Sequence, residues 1–194
     1  MIEAISLNNM GAEVRGLDLS GEISLENATR LRQLWADYGF LLFRNTVHTH
    51  DEHLKLSHVF GPDHLHPIDV IKVDGISELI QVCGQDDRKS PAHVIGGCVT
   101  LGWIPWHQDL SYTANIPQGS MLRITEPSPS KGETAFADVA RAYQDLPDDM
   151  KRRIEPLSTV HTMHTLATEI RYGIEQFGDV RVATQQEYSW GSVV

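Results

Sequence analysis

The chain has 194 residues, 41% of them hydrophobic, and this size and composition predict one globular domain with a buried core. Lys and Arg total 16 against 26 Asp and Glu, so the formal net charge is −10. Such a surface repels phosphate backbones and anionic lipids, so we expect neither nucleic acid nor a membrane as a partner. An anionic small-molecule substrate stays compatible with this charge, because a few local cations outweigh a diffuse field.

The cellular compartment is predicted from signals that the sequence does not contain. The first residues carry no basic region followed by an apolar stretch, so we predict no secretory signal. The longest apolar run, at residues 40–43, is far shorter than the roughly 20 residues of a membrane-spanning helix. Cys83 and Cys98 form no Cys-x-x-Cys pair and are interpreted as reduced thiols. Together these features predict a cytoplasmic protein.

The first sixty residues alternate between short strands and amphipathic helices. Strands are predicted at residues 3–7 and 12–16, and a fully buried strand at residues 40–43. A helix is expected to begin after the capping residue Ser24 and to end before Gly39, and a second one to run from about 49 to 60. Three- and four-residue spacing predicts that the first helix buries one face, formed by Leu25, Ala28, Leu31, Leu34, Trp35 and Tyr38.

The middle of the chain has the pattern of antiparallel strands separated by turns rich in Gly, Pro, Asp and Ser. The apolar segments that favour strands are Glu78–Val82, Val99–Leu101, Met121–Thr125 and Thr134–Ala137. Helices are predicted again at about 139–146 and 148–154. The fold class is therefore mainly β, a sandwich or barrel with helices packed outside it.

His107 and Asp109 are the first candidates for chemistry. If this segment is a strand, residues two positions apart point to the same face, so the imidazole and the carboxylate converge on one ion. Two histidines and one carboxylate on one face of a divalent metal leave the opposite positions open for other ligands. The spacing alone is weak, since this composition gives about one such pair by chance.

The second His-x-acid pair, His50 with Glu52, lies at a predicted helix start. Residues two apart diverge around a helix axis, so metal binding is disfavoured there. Its acidic side chains instead suit the positive end of the helix dipole.

The surrounding sequence contains a series of family-like segments in order: residues 11–19, 39–44, 60–67, the run WHQDLSY at 106–112, Pro117, and KGETAFAD at 131–138. Together they resemble the taurine/2-oxoglutarate dioxygenase family of non-haem Fe(II)-dependent oxygenases. Ordered matches of this kind are more specific than any one of them. They cover the chain to about Tyr143 and weaken after it.

The resemblance implies a double-stranded β-helix (jelly roll) and a requirement for Fe(II), 2-oxoglutarate and dioxygen. It implies hydroxylation of a small organic substrate, with release of succinate and CO2. His107 and Asp109 correspond to the first two iron ligands of the family. An acid at position 109 favours oxygen insertion, because halogenating relatives carry a small residue there.

The resemblance also assigns residues around the metal. Thr134 falls where a family threonine binds the distal carboxylate of 2-oxoglutarate; the alternative is a strand residue chosen for packing. His66 stands where taurine-specific members contact the sulfonate, or is simply a loop histidine. Trp103 replaces a polar substrate contact, which disfavours taurine itself, and Trp106 is either a wall of the site or a core residue.

The family's third ligand, a later histidine, and its 2-oxoglutarate-binding arginine have no match in the chain. Residues 1–194 are therefore expected to be a single oxygenase domain truncated before the third metal ligand. His161 and His164 lie in a segment unlike the ligand strand and are interpreted as surface or core histidines. An uncovered sheet edge would favour association of copies into a homo-oligomer.

Two rival functions stay open at this stage. One is a catalytically inactive fragment or a ligand-binding remnant of the same fold. The other is a zinc-dependent hydrolase of cupin shape, which tightly held zinc without any dependence on 2-oxoglutarate would favour.

Overall fold

The structure is a computed structural model of the 194-residue chain. It describes residues 2–66, 72–82, 92–95, 98–101, 106–127, 129, 133–162 and 191–193. The chain divides into two compact units: Met1–Leu79 with Met121–Glu155, and Ile80–Ser120 with Pro156–Val194. Within the described residues, no helix is both long and apolar enough to cross a membrane.

Short strands and helices alternate along the described chain. In chain order they are β1 (Glu3–Ser6), β2 (Ala12–Arg15), α1 (Leu25–Tyr38), β3 (Leu41–Phe43), α2 (His50–Ser57), β4 (Lys72–Val73), β5 (Ile76–Ile80), β6 (Ala92–Ile95), β7 (Cys98–Leu101), α3 (Val139–Gln144), α4 (Asp148–Ile154), β8 (Val160–Thr162) and β9 (Gly191–Val193). Sheets with helices are thus present, and the strands are in small sheets of two or three.

The first unit contains a three-stranded sheet of order β1-β2-β3. β1 is antiparallel to β2, with Ala4 opposite Val14, and β2 is parallel to β3. α1 supplies the crossover between the two parallel strands, which need a connection of this length. The strands predicted at residues 3–7 and 12–16 are confirmed. β3 is also present, but its side chains are half-buried and not fully buried, in keeping with its place at the edge of this sheet.

The start and the end of α1 are set by its caps, as the sequence predicted. The Ser24 hydroxyl accepts a hydrogen bond from the Asn27 backbone at 3.2 Å. Gly39 adopts the left-handed conformation (φ 70°), and its backbone N–H donates to the Trp35 carbonyl at 2.7 Å. Both caps satisfy backbone groups that the helix leaves unpaired at its ends.

α1 buries one face against the sheet and α2. Leu31 and Leu34 are at most 1% exposed, and burial of an aliphatic side chain of this size contributes about 1.5–3 kcal/mol. The core of the unit is completed by Ile2, Val14, Leu19, Leu56 and Val59. The prediction that Leu25 belongs to the same face is wrong: its side chain is 79% exposed, because the packed face of the helix starts only at Ala28.

α2 is shorter than predicted. It starts at His50 after the N-cap Thr49, but α-helical geometry stops at Ser57. The backbone N–H groups of Val59 and Phe60 donate three residues back, to Leu56 and Ser57, so a tighter turn replaces the last helical turn. The Lys55 ammonium donates to the Leu19 carbonyl at 2.7 Å and so fastens the helix to the loop before α1.

Two predicted strands of the first unit are wrong. Residues 121–125 and 134–137 form neither strand nor helix. No ladder partner is present for either segment among the described residues, and an extended segment without one gains no strand hydrogen bonds. Their side chains pack instead: Met121 lies against the core, and Phe136 stacks on Phe40 with ring centroids 4.1 Å apart. The helices predicted next along the chain are confirmed as α3 and α4.

The second unit carries the antiparallel pairs β6–β7 and β8–β9. In the first pair Ile95 lies opposite Cys98. In the second pair His161 lies opposite Ser192. The strand predicted at Val99–Leu101 is confirmed within β7, and that predicted at Glu78–Val82 overlaps β5, which ends at Ile80.

Candidate metal centre

His107 and Asp109 lie in the irregular part of the second unit, at residues 106–120, which contains neither strand nor helix. The prediction that a strand carries them is therefore wrong. Leu110 has a left-handed backbone (φ 52°), which no regular strand accommodates. The Thr113 backbone N–H and hydroxyl both donate to the Leu110 carbonyl, at 3.0 and 2.8 Å, and hold this turn closed.

The turn nevertheless brings the two side chains together. His107 Nε2 lies 3.0 Å from Asp109 Oδ1. The second carboxylate oxygen, Oδ2, accepts a hydrogen bond from the Ser120 hydroxyl at 2.7 Å. The imidazole and the carboxylate are 51% and 53% exposed, so a ligand can reach both from solvent.

The distance between the two donor atoms suits a shared divalent ion. With metal–ligand bonds of about 2.1 Å, two atoms bound at right angles lie about 3.0 Å apart. A neutral imidazole nitrogen and an anionic oxygen are also the donor types of a two-histidine, one-carboxylate iron site. In the structure the two atoms are within hydrogen-bonding distance of each other, and their types and separation are compatible with a shared metal ion.

Tyr112 adds a titratable group to this neighbourhood. Partial burial raises the pKa of its phenol, and the negative charge of Asp109 raises the pKa further. The phenol is therefore neutral near pH 7 and can donate a hydrogen bond.

Across the described part of the chain, no three His, Cys, Asp or Glu side chains form a cluster able to hold a metal. His161, the first of the two later histidines, is half-buried on β8 and belongs to no such cluster. His164 lies outside the described residues.

The other predicted site residues are distributed over both units. Thr134 and His66 belong to the first unit, where Thr134 is exposed and His66 half-buried. Trp106 belongs to the second unit and is 66% exposed, so the alternative that it is a core residue is wrong. Trp103 lies outside the described residues.

The segment that carries Thr134 is irregular, and the residues that follow Thr134 are anchored. Phe136 stacks on Phe40, and Asp138 caps α3 by accepting from the Arg141 backbone at 2.9 Å. The packing alternative for Thr134, as a strand residue, is wrong because residues 133–138 form no strand.

The second His-x-acid pair is part of a helix cap, as predicted. The Glu52 carboxylate accepts from the backbone of His48 and Thr49 at 2.8 and 2.9 Å, and the Thr49 hydroxyl accepts from the Glu52 backbone. These hydrogen bonds to its charged form lower the pKa of Glu52. Its carboxylate is thus engaged at the start of α2.

Sequence reasoning did not identify Ser120. This residue lies 11 positions after Asp109, and no helix or strand period connects positions at that spacing. The only sequence signal is its place in a turn-forming run, Pro117 to Ser120, which predicts a reversal of the chain but not the group it returns to.

Comparison with known proteins places these observations in a family. The profile of the family described as taurine catabolism dioxygenase TauD, TfdA family matches residues 3–192. The chain belongs to this family.

Individual relatives agree with that membership. The alpha-ketoglutarate-dependent sulfate ester dioxygenase of Pseudomonas putida is 27% identical over 154 residues, which are 79% of this chain and 46% of the relative. The (S)-phenoxypropionate/alpha-ketoglutarate-dioxygenase of Sphingobium herbicidovorans is 25% identical over 179 residues, 92% of this chain and 55% of the relative. A taurine dioxygenase structure from Burkholderia xenovorans superimposes with a TM-score of 0.65 at 27% identity, covering 84% of this chain and 54% of the other.

The chain spans about half the length of these relatives. These relatives are 2-oxoglutarate-dependent dioxygenases by name or by family.

Proposed function

We propose that the protein is an Fe(II)- and 2-oxoglutarate-dependent dioxygenase that hydroxylates a small anionic organic substrate. 2-Oxoglutarate, dioxygen and a substrate C–H bond would yield succinate, CO2 and an alcohol, with one oxygen atom in succinate and one in the alcohol. The observation that carries this proposal is the 3.0 Å approach of His107 to Asp109 in a chain that matches the family from residue 3 to residue 192.

His107 and Asp109 would hold the iron through Nε2 and one carboxylate oxygen. When bound, iron and 2-oxoglutarate supply the oxidising power, and the protein supplies ligands, orientation and exclusion of water. Two protein ligands neutralise only part of the charge of the ion and leave further positions for cosubstrate and dioxygen. The charge of Asp109 acts on the Tyr112 phenol, and this neutral phenol would provide a hydrogen-bond donor near the site.

Thr134 is proposed to donate its hydroxyl to the distal carboxylate of 2-oxoglutarate. Its exposed side chain is available to a ligand, and Phe136 and Asp138 anchor the backbone that follows it. His66, Trp103 and Trp106 are proposed to line the substrate subsite. The exposed indole of Trp106, next in sequence to His107, supports a role in contacting a ligand rather than in filling a core.

The fold of the domain is proposed to be a double-stranded β-helix (jelly roll). The family profile runs through both units, which supports their assignment to a single oxygenase domain over residues 1–194.

The substrate is proposed to be an organic anion such as an alkyl sulfate, a sulfonate or an aryloxyacid. Relatives are named for sulfate esters and for phenoxypropionate, both of which carry an anionic group. A histidine at position 66 supplies a donor that suits such a group.

Succinate formation tests the proposal. The purified protein is incubated with Fe(II), 2-oxoglutarate and a panel of sulfonates, alkyl sulfates, aryloxyacids and amino acids, and succinate is quantified by mass spectrometry. We expect one class to stimulate succinate release, and His107→Ala and Asp109→Ala to reduce it to background. His50→Ala, in the second His-x-acid pair, is the matched control and should retain turnover. Succinate release that is independent of iron, or unchanged in His107→Ala, would refute the proposal.

The second candidate is a non-catalytic remnant that binds 2-oxoglutarate or a substrate without turnover. The observation that favours it is the absence of a three-residue metal cluster among the described residues. Calorimetric binding of 2-oxoglutarate without succinate formation, under any substrate, would support this candidate.

A further inference from the structure

We propose that Ser120 is a positioning residue that fixes the carboxylate of Asp109 for metal binding. Its hydroxyl would hold Oδ2 and leave Oδ1 as the single metal-binding oxygen. This inference rests on the proposed function, because it concerns the same centre.

The contacts of Asp109 divide its two oxygens between two partners. Oδ1 faces His107 Nε2 at 3.0 Å, and Oδ2 accepts from Ser120 Oγ at 2.7 Å. The second distance is that of a short hydroxyl–carboxylate hydrogen bond, a charge-assisted type that is about twice as strong as a neutral one. One oxygen is thereby engaged, and the other is directed toward the imidazole.

Without Ser120 the two oxygens of Asp109 would be exchangeable. The carboxylate is 53% exposed, so water can replace the lost hydrogen bond and the fold should lose little stability. The side chain would then rotate between staggered conformers, several of which turn both oxygens away from His107. The loss would therefore appear in metal binding and not in folding, since only metal binding requires one orientation.

A second hydroxyl in the same loop provides a contrast. Thr113 Oγ1 donates to the Leu110 carbonyl at 2.8 Å and lies 3.0 Å from the Asn115 carbonyl, so its contacts are to the backbone. Thr113→Val therefore changes the loop without removing a contact to the carboxylate. Ser120→Thr, in contrast, keeps a hydroxyl at the exposed position 120.

The test is a titration of the 194-residue chain with Mn(II), in which electron paramagnetic resonance measures the free ion. We expect Ser120→Ala to weaken Mn(II) binding by about 10- to 100-fold, the usual loss for a partner that orients a metal ligand. Ser120→Thr and Thr113→Val should stay within about threefold of the unmodified chain. The midpoint temperature of thermal unfolding of Ser120→Ala should change little. At equal metal loading, the modulation of the electron paramagnetic resonance signal by the imidazole nitrogen of His107 should weaken.

The outcomes separate this inference from the proposed function. If the unmodified chain binds Mn(II) and His107→Ala abolishes binding while Ser120→Ala does not weaken it, the positioning role is refuted and the metal centre stands. Equal weakening by Ser120→Ala and Thr113→Val would also refute it, because the effect would then belong to the loop. If His107→Ala leaves Mn(II) binding unchanged, the metal centre itself is wrong, and the role of Ser120 fails with it.

Discussion

His53 is a half-buried imidazole on α2 with several charged neighbours. Burial lowers its pKa below the ordinary value of 6.5, and the charge of Arg123 lowers it further. His50 acts in the same direction, while a hydrogen bond to the Met121 backbone and the charge of Asp63 oppose the shift. The folded protein therefore favours the neutral form of His53.

This shift predicts a loss of stability in mild acid. The pKa of His53 is lower in the folded protein than in the unfolded chain, so protonation of His53 does not reduce the free energy of unfolding above pH 6.5. Below that pH the free energy of unfolding decreases, because the unfolded chain takes up a proton that the folded chain resists. Urea unfolding at pH 7.5 and pH 5.5 should show a smaller decrease in the free energy of unfolding for His53→Gln than for the unmodified protein.

The control for His53 is His64→Gln, which replaces an exposed imidazole in the loop after α2. At pH 7.5 its free energy of unfolding should stay within about 0.5 kcal/mol of that of the unmodified protein, because the replaced side chain is exposed. Equal pH dependence of His53→Gln and the unmodified protein would contradict the assignment.

His107 and Asp109 show what residue identity can and cannot predict. The donor types and the pairing of the two side chains could be inferred from the sequence, because ligand chemistry depends on residue type. The local backbone could not, since the turn depends on a left-handed Leu110, a conformation that leucine rarely adopts. The contact from Ser120 was also missed, because it arises from how the loop closes.

Gly11 determines how the β1–β2 turn meets the residue before β3. Its backbone is left-handed (φ 87°), and an added Cβ would lie 2.5 Å from Phe40 Cδ1 and 2.9 Å from the Phe40 carbonyl oxygen. The next residue, Ala12, donates its backbone N–H to that same carbonyl at 2.9 Å. A side chain at position 11 would therefore press on a hydrogen-bonded backbone that has little freedom to move.

Alanine substitutions at three glycines separate two contributions to the loss of unfolding free energy, namely the strain of a left-handed backbone and the steric overlap of the added Cβ. Gly75 is also left-handed (φ 77°) but has open space around its Cβ position, so Gly75→Ala should cost only the conformational part, about 1–2 kcal/mol. Gly11→Ala should cost more, about 2–5 kcal/mol, because overpacking adds to it. Gly21→Ala, with open space and no left-handed backbone, should stay within about 0.5 kcal/mol. Urea unfolding measures all three, and equal values for positions 11 and 75 would refute the predicted clash.

Elements with local start and stop signals could be predicted, and elements that need a distant partner could not. Ser24 and Gly39 define α1 from within the sequence, so its bounds followed. Residues 121–125 have the composition of a strand, but a strand also needs a neighbour in register, which local sequence does not specify. The exposed Leu122 and Ile124, at 61% and 63%, show that apolar content alone predicted their structure wrongly.

The net charge of the whole molecule and its family membership both bear on how it would bind an anionic substrate. A net charge of −10 opposes an anionic substrate at long range, and a divalent ion at His107 and Asp109 would reverse that sign locally. Under the proposed function, His107 and Asp109 would hold this ion, and its charge would supply the local attraction for 2-oxoglutarate. Removal of the ion by a chelator should then abolish 2-oxoglutarate binding, as a calorimetric titration before and after chelation would show.

The position of the metal tests the proposed function most directly. A crystal of the chain soaked with Mn(II) under anaerobic conditions should show an anomalous peak about 2.0–2.2 Å from both His107 Nε2 and one oxygen of Asp109. The same soak of Asp109→Ala should lack it. An anomalous peak bound elsewhere, with none between these two side chains, would contradict the assignment of the centre.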